Sequence, residues 1–297
     1  MLSRIGDVEI WRIAETIGPF RPITTLFPDL SAEDLARHRH VVEPHGLRTD
    51  PDTGEDWIIL PVQAFLLRTP HHLVLIDACV GNDKTLPSLP AWSGLRSNRF
   101  MSALSAAGAA PEDVSHVMCT HLHVDHVGWT TMLRDGRWGP TFPNAKVMST
   151  PADLDHARTQ AERYPDRAAG HIWRETLGPL VEAGIFETVA PDHMIGDSIR
   201  LVSTPGHTPG HVAVEISTSG AARLAITGDL IHSPIQCPLP ELSPNVDWNG
   251  AQAAQTRRAF LDARADTGQL IIGTHFPLPS LGSIEREETA FRWCPAC

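Results

Sequence analysis

The apolar run Val117-Met118-Cys119 opens onto Thr120-His121-Leu122-His123-Val124-Asp125-His126, three histidines and one aspartate within six positions. Neutral imidazole is the commonest transition-metal ligand and carboxylate adds a hard anionic oxygen, so the stretch has the composition of a metal site with mixed nitrogen and oxygen donors. Its spacing also limits the fold. In one continuous helix, His121 and Asp125 would share a face, with His123 and His126 on another roughly 200° away. A loop at the carboxyl end of a strand lets all four converge, and that is where open α/β sheets place their ligands. The spacing therefore predicts a strand over 115–119 with the four donors in the loop beyond it.

Sixteen histidines raise the background, yet the pattern His-x-His-x-Asp-His arises by accident in only about three such chains per thousand. Isolated histidines such as His38, His40, His45, His71, His72, His116, His156, His171 and His193 are read as surface or core residues. The same arrangement of apolar run, Gly or Pro bend and ligand-capable side chain recurs three times. "STPGHTPGH" places His207 and His211 after a strand ending at Ser203; "AITGDLIH" places Asp229 and His232 after one ending at Thr227; "IIGTHFPLPS" places His275 after the apolar run 269–273.

Other strands are predicted over 8–13, 57–67, 73–80, 145–149, 198–203, 212–217 and 223–227, and helices over 97–107, 151–163, 168–183 and 250–265. Strand clusters in two halves, each followed by helices, fit a layered α/β sandwich better than a regular βαβ alternation. We read residues 1–297 as one domain. The Pro- and His-containing segment 17–56 is too long for an ordinary connection and is a candidate lid or pocket wall. Residues 288–297, with Cys294 and Cys297 in "RWCPAC", are expected to form a loose tail, since a redox Cys-x-x-Cys opens a helix after a strand.

A net charge of −11 and scattered cations argue against nucleic acid as a partner. The amino-terminal residues lack a leader pattern and no run approaches eighteen apolar residues, so we expect a cytoplasmic protein without a membrane anchor. Five cysteines are too few, and odd in number, for a disulfide framework. No Gly-rich phosphate loop, dinucleotide fingerprint or internal repeat is present.

Taken in order, His-x-His-x-Asp-His, Thr-Pro-Gly-His, Gly-Asp and a late Gly-Thr-His resemble the metallo-β-lactamase superfamily over roughly residues 8 to 280. The resemblance implies an αββα four-layer sandwich and a dinuclear centre of two divalent metal ions, usually zinc, with manganese, cobalt or iron as alternatives. It makes His121, His123 and His207 ligands of one ion, Asp125, His126 and His275 ligands of the other, and Asp229 the bridge. His211 becomes a supporting residue, and Asp77 takes the place of an aspartate that holds the ligands from behind. The chemistry itself is assigned to Asp125 and His232.

Within the superfamily, "GDLIHSPIQ" and the long amino-terminal segment resemble the branch of N-acyl homoserine lactonases and methyl parathion hydrolase. Many of the former carry a tyrosine three residues beyond the bridging aspartate. His232 stands there in this chain, as in the organophosphate-hydrolysing relatives, and the sole tyrosine, Tyr164, falls in a helical segment between the motifs. Trp92, Trp129, Phe20, Phe27, Ile235 and Phe276 are candidates for an apolar pocket and equally for core. The expectation is a metal-dependent hydrolase of a small hydrophobic lactone or other ester, with a homodimer left open. Alternatives are a phosphotriesterase or aryl esterase of the same branch, and an enzyme like the mononuclear-iron persulfide dioxygenases.

Overall fold

The computed structural model of the chain describes residues 1–296. It divides into two compact units, one formed by Met1–Thr16 and Val62–Ser198, the other by Ile17–Pro61 and the chain from Ile199 onward. Each of the two strand clusters of the sequence falls within one of these units.

In the first unit, the short strands Leu73–Ile76, His116–Met118, Lys146–Ser149 and Phe186–Thr188 lie side by side and parallel. Strands covered on both faces read as continuous apolar runs, and Val74, Leu75, Ile76, Val117 and Met118 are all fully buried. The long strand Asp56–Arg68 joins them antiparallel, with Phe65 opposite Ile76. Parallel neighbours end on the same edge, so the residues following Ile76, Met118 and Ser149 meet there. Asp77 accepts the N–H of Thr120 at 2.7 Å, and Asp153 accepts that of Leu122 at 3.1 Å.

The helix Pro151–Arg163 forms as predicted, with proline in its first turn and the Thr150 side chain accepting from the Asp153 N–H. The single helix expected over 168–183 is instead three pieces: Ala168–Ile172, a π-turn over Trp173–Leu177, and Gly178–Glu182. The cause is Pro179, which has no N–H for the carbonyl of Glu175. That carbonyl accepts from Lys84 Nζ at 3.1 Å and from the Thr131 hydroxyl at 2.7 Å.

In the second unit, Ile199–Ser203, Val212–Thr218 and Ala221–Ile226 pair antiparallel in succession, and Leu270–Ile272 pairs parallel to Ala221–Ile226. Three strands therefore point the same way, and their carboxyl ends lead into the turns carrying His207, Asp229 and His275. Leu281–Glu287 and Ala290–Pro295 complete the sheet, with Ile284 opposite Trp293. The last strand corrects the expectation of a loose tail over 288–297. Phe291 and Trp293 are buried while Arg292 between them is exposed, the period-two alternation of a half-buried strand. Cys294 is a free thiol within it, and Cys297 lies outside the described residues.

The segment 17–56 carries secondary structure of its own. It holds the helices Ile23–Leu26 and Ala32–His38 and a strand Leu47–Thr49 paired with Asp56–Ile58. Ile23, Leu26, Phe27, Leu30, Val42 and Leu47 pack into one core with Ile235 and Leu242. These apolar residues come in ones and twos among Thr, Pro, Asp and His, which hides the core from a search for runs. No helix among the described residues is long and apolar enough to cross a membrane.

Candidate metal centre

The first unit gathers its donors where the strand His116–Met118 ends. His121 and His123 precede helical geometry, while Asp125 and His126 lie in the single turn Val124–Val127, whose amino-terminal cap is His123. The expected loop is therefore half loop and half helical turn, and the junction separates the two pairs. Nε2 of His121 lies 3.0 Å from Nδ1 of His123, and Nε2 of His126 lies 3.7 Å from Asp125 Oδ2. Behind them, Asp77 accepts from Thr120 N–H and its hydroxyl, and its Oδ2 is 2.9 Å from His126 Nδ1. Asp77 has φ of 60°, a left-handed conformation unusual for a residue with a side chain.

Glu15 supports this edge from another strand. It accepts the N–H groups of Val80 at 2.8 Å and Gly81 at 3.2 Å and the indole N–H of Trp129 at 2.5 Å. Burial pushes its carboxyl pKa up, and those hydrogen bonds work against the rise.

The second unit gathers its donors around Asp229. Oδ2 of Asp229 lies 3.4 Å from Nε2 of His207 and 3.1 Å from Nε2 of His232, and Oδ1 lies 3.1 Å from Nε2 of His275. The opposite ring nitrogens are held from outside: His207 Nδ1 by Asp247 Oδ1 at 2.8 Å, and His275 Nδ1 by the carbonyl of Pro61 at 2.7 Å. A carbonyl or carboxylate can only accept, so these partners assign the ring proton to Nδ1 and leave Nε2 a lone pair. Two lone-pair acceptors 3.1–3.4 Å apart repel unless a cation or a further proton joins them. Buried imidazoles with the outer nitrogen tied down and the inner one facing a carboxylate are the donor set of a divalent transition-metal site. The residues present thus fit metal ions.

His211 does not face the Asp229 carboxylate in this way. Its Nε2 accepts the backbone N–H of Asp229 at 2.9 Å and its Nδ1 meets the Thr204 hydroxyl at 2.8 Å, a supporting role. His232 Nε2 contacts Asp229, and its Nδ1 has no hydrogen-bond partner among the described residues. Tyr164 stands at the surface, with the guanidinium groups of Arg163 and Arg167 5.3 and 5.5 Å from its ring centre.

Most of the apolar residues offered as pocket candidates are core. Trp129 stacks on Phe100 at 5.1 Å, Phe276 meets Trp293 edge to face at 4.8 Å, and Phe27 and Ile235 are fully buried in one cluster. Trp92 is buried and Phe20 half-buried. Sequence reasoning missed Asp247, Glu15 and the carbonyl of Pro61. Asp247 sits in "SPNVDWNG" with no apolar run before it, and a backbone carbonyl has no residue signature.

A family description, the metallo-β-lactamase superfamily, matches residues 57–275. An N-acyl homoserine lactonase of Bacillus sp is 25% identical over 196 residues, which cover 61% of this chain and 68% of that protein. Among solved structures, the hydrolase AbOPH of the β-lactamase superfamily superimposes with a TM-score of 0.78 at 26% identity, covering 99% of this chain and 96% of that one. AidC, a dizinc quorum-quenching lactonase in complex with a product, superimposes with a TM-score of 0.79 at 20% identity over the same shares, a likeness of fold.

Proposed function

Since the chain belongs to the metallo-β-lactamase superfamily and has its fold, we propose that it is a metal-dependent hydrolase that opens lactones at a dinuclear centre. His121, His123 and His207, grouped with Asp229, would hold one ion and Asp125, His126 and His275 the second; we take Asp229 as shared between them. The observation that carries this reading is the division of the Asp229 carboxylate, one oxygen facing His207 and the other His275. A carboxylate serving a single ion would not need its two oxygens directed at different histidines. Zinc is the metal we favour, on the imidazole-rich donor set and on the dizinc relative of the same fold.

When bound, a pair of divalent ions supplies Lewis acidity, drawing the pKa of a water from 15.7 towards ~7 and polarising a carbonyl oxygen. The chain's own contributions are positional and protic. Asp77, Asp247 and the Pro61 carbonyl hold the rings so that Nε2 stays a lone pair. Asp125 and Asp229 bring negative charge that partly offsets the charge of the ions. Hydrolysis breaks the acyl C–O bond, and the departing alkoxide needs a proton. His232, beside Asp229 and with Nδ1 not engaged in a hydrogen bond, is our candidate for that proton or for holding the substrate oxygen.

The lactone is favoured as substrate because the curated relative is an N-acyl homoserine lactonase. The test is an assay of acyl homoserine lactones, simple aryl esters and phosphotriesters, before and after chelation and after return of zinc, manganese or cobalt. Lactone opening that disappears on chelation and returns with metal is the expected result. Full activity in metal-free protein would overturn the metal-dependent reading; turnover of phosphotriesters alone would overturn the lactone assignment.

A further inference from the structure

The turn that carries His207 is moulded onto the start of the helix Gly250–Asp262. The N–H groups of Trp248 and Asn249 donate to the carbonyls of His207 and Gly206, both at 2.9 Å. Gly206 has φ of 139°, and a Cβ there would lie 2.4 Å from the backbone of Ala253 in the helix, so no other residue fits at this approach.

Two buried charges complete the arrangement. Asp247 accepts from His207 Nδ1 with Oδ1, and its Oδ2 lies 3.6 Å from Nη2 of Arg257. Arg257, on the second turn of the helix, is only 1% exposed. Its Nε donates to the carbonyl of Leu230, the residue following Asp229, at 3.2 Å, and its Nη1 donates to Leu242 O at 2.7 Å. One guanidinium therefore pairs in charge with the carboxylate that orients His207 and hydrogen-bonds the backbone just behind Asp229.

We propose that Asp247 and Arg257 are a positioning pair for the ligand His207, through which the helix Gly250–Asp262 sets how tightly the ion using His207 is held. The proposal rests on the dinuclear reading above. A carboxylate hydrogen-bonded to the outer nitrogen of a metal-binding histidine fixes the ring and raises its basicity. Arg257 is in turn the counter-ion of that carboxylate: the two groups are buried 3.6 Å apart, and a buried cation requires its counter-ion.

Zinc affinity measured by competition with a chromophoric chelator, alongside thermal unfolding of the metal-free protein, tests this. Wild type is expected to bind two equivalents. Asp247→Asn should weaken one of them roughly tenfold and Asp247→Ala roughly 10–100-fold, with the other unchanged, the range for removing an outer partner of a ligand histidine. Arg257→Lys, which keeps the charge but not the planar fork, should weaken the same equivalent less. Both equivalents held as tightly in the Asp247 variants as in wild type, or weakened equally, would overturn the proposal. Should Asp247→Ala fail to fold, Asp247→Asn and Arg257→Lys carry the comparison. A wild type binding only one equivalent would defeat the dinuclear reading separately; the pair is then judged on that equivalent alone, supported by weakening and overturned by none.

Discussion

His211 accepts the backbone N–H of Asp229 on its Nε2 at 2.9 Å. Its other nitrogen meets Thr204 Oγ1 at 2.8 Å, so the ring is anchored at both ends within the fold. A histidine four residues from the proposed ligand His207 thus holds the peptide of the carboxylate that both proposed ions share. His211→Ala leaves that buried N–H without an acceptor, which costs about 1–3 kcal/mol. Chemical denaturation of the metal-free protein should register a loss of that size, and metal content should fall for both equivalents.

His232 is expected to matter to turnover more than to metal retention. His232→Ala should lower kcat/KM by about a hundredfold or more, as loss of a general acid does. Metal analysis of the same sample should still find two equivalents. Loss of metal with the activity would instead make His232 a support for Asp229.

Gly128 is predicted to be irreplaceable for a reason of space. A Cβ there would fall 1.6 Å from the carbonyl oxygen of Val80, because Gly128 and Trp129 donate to the carbonyls of Cys79 and Ala78, both at 2.8 Å. Gly128→Ala must push apart the loops behind Asp125 and His126, and a loss above about 4 kcal/mol is expected. Gly139→Ala, where a Cβ meets nothing within 4 Å, should stay within about 1 kcal/mol of wild type in the same denaturation experiment.

Lys84 makes stability depend on pH. It is 1% exposed, donates to Thr131 Oγ1 at 2.7 Å, lies 3.7 Å from the centre of the Trp138 ring, and has its pKa drawn from 10.5 to about 7 by desolvation. Between those values the unfolded chain holds a proton that the fold does not, so raising the pH favours the fold; below about 7 both states are protonated and this slope vanishes. Unfolding free energies of wild type and Lys84→Met should therefore converge or cross in wild type's favour as pH rises from 7 towards 10. A constant difference across that range would refute the assignment.

Much of the candidate site was legible because its chemistry resides in residue identity. His121, His123, Asp125, His126, His207, Asp229 and His275 each follow an apolar run, and such runs end where parallel strands share an edge. Two errors have physical causes. The strand Ala290–Pro295 shows its alternation in only four residues, Phe-Arg-Trp-Cys, too short a period-two signal to stand out beside a Cys-x-x-Cys spacing. The helix over 168–183 contains Pro179, whose missing N–H is visible in the sequence; that Lys84 and Thr131 would take the orphaned Glu175 carbonyl is not.

The sequence by itself determined which atoms are available: imidazole nitrogens and carboxylate oxygens, in an order and at strand ends that fit metal ions. Only the tertiary structure decided how those atoms are aimed. His126 is held by Asp77, 49 residues away, His207 by Asp247, 40 residues away, and His275 by the carbonyl of Pro61, 214 residues away. A ring's orientation and tautomer follow from whichever group folding brings to its outer nitrogen, and a contact made across such separations leaves no mark in the local sequence.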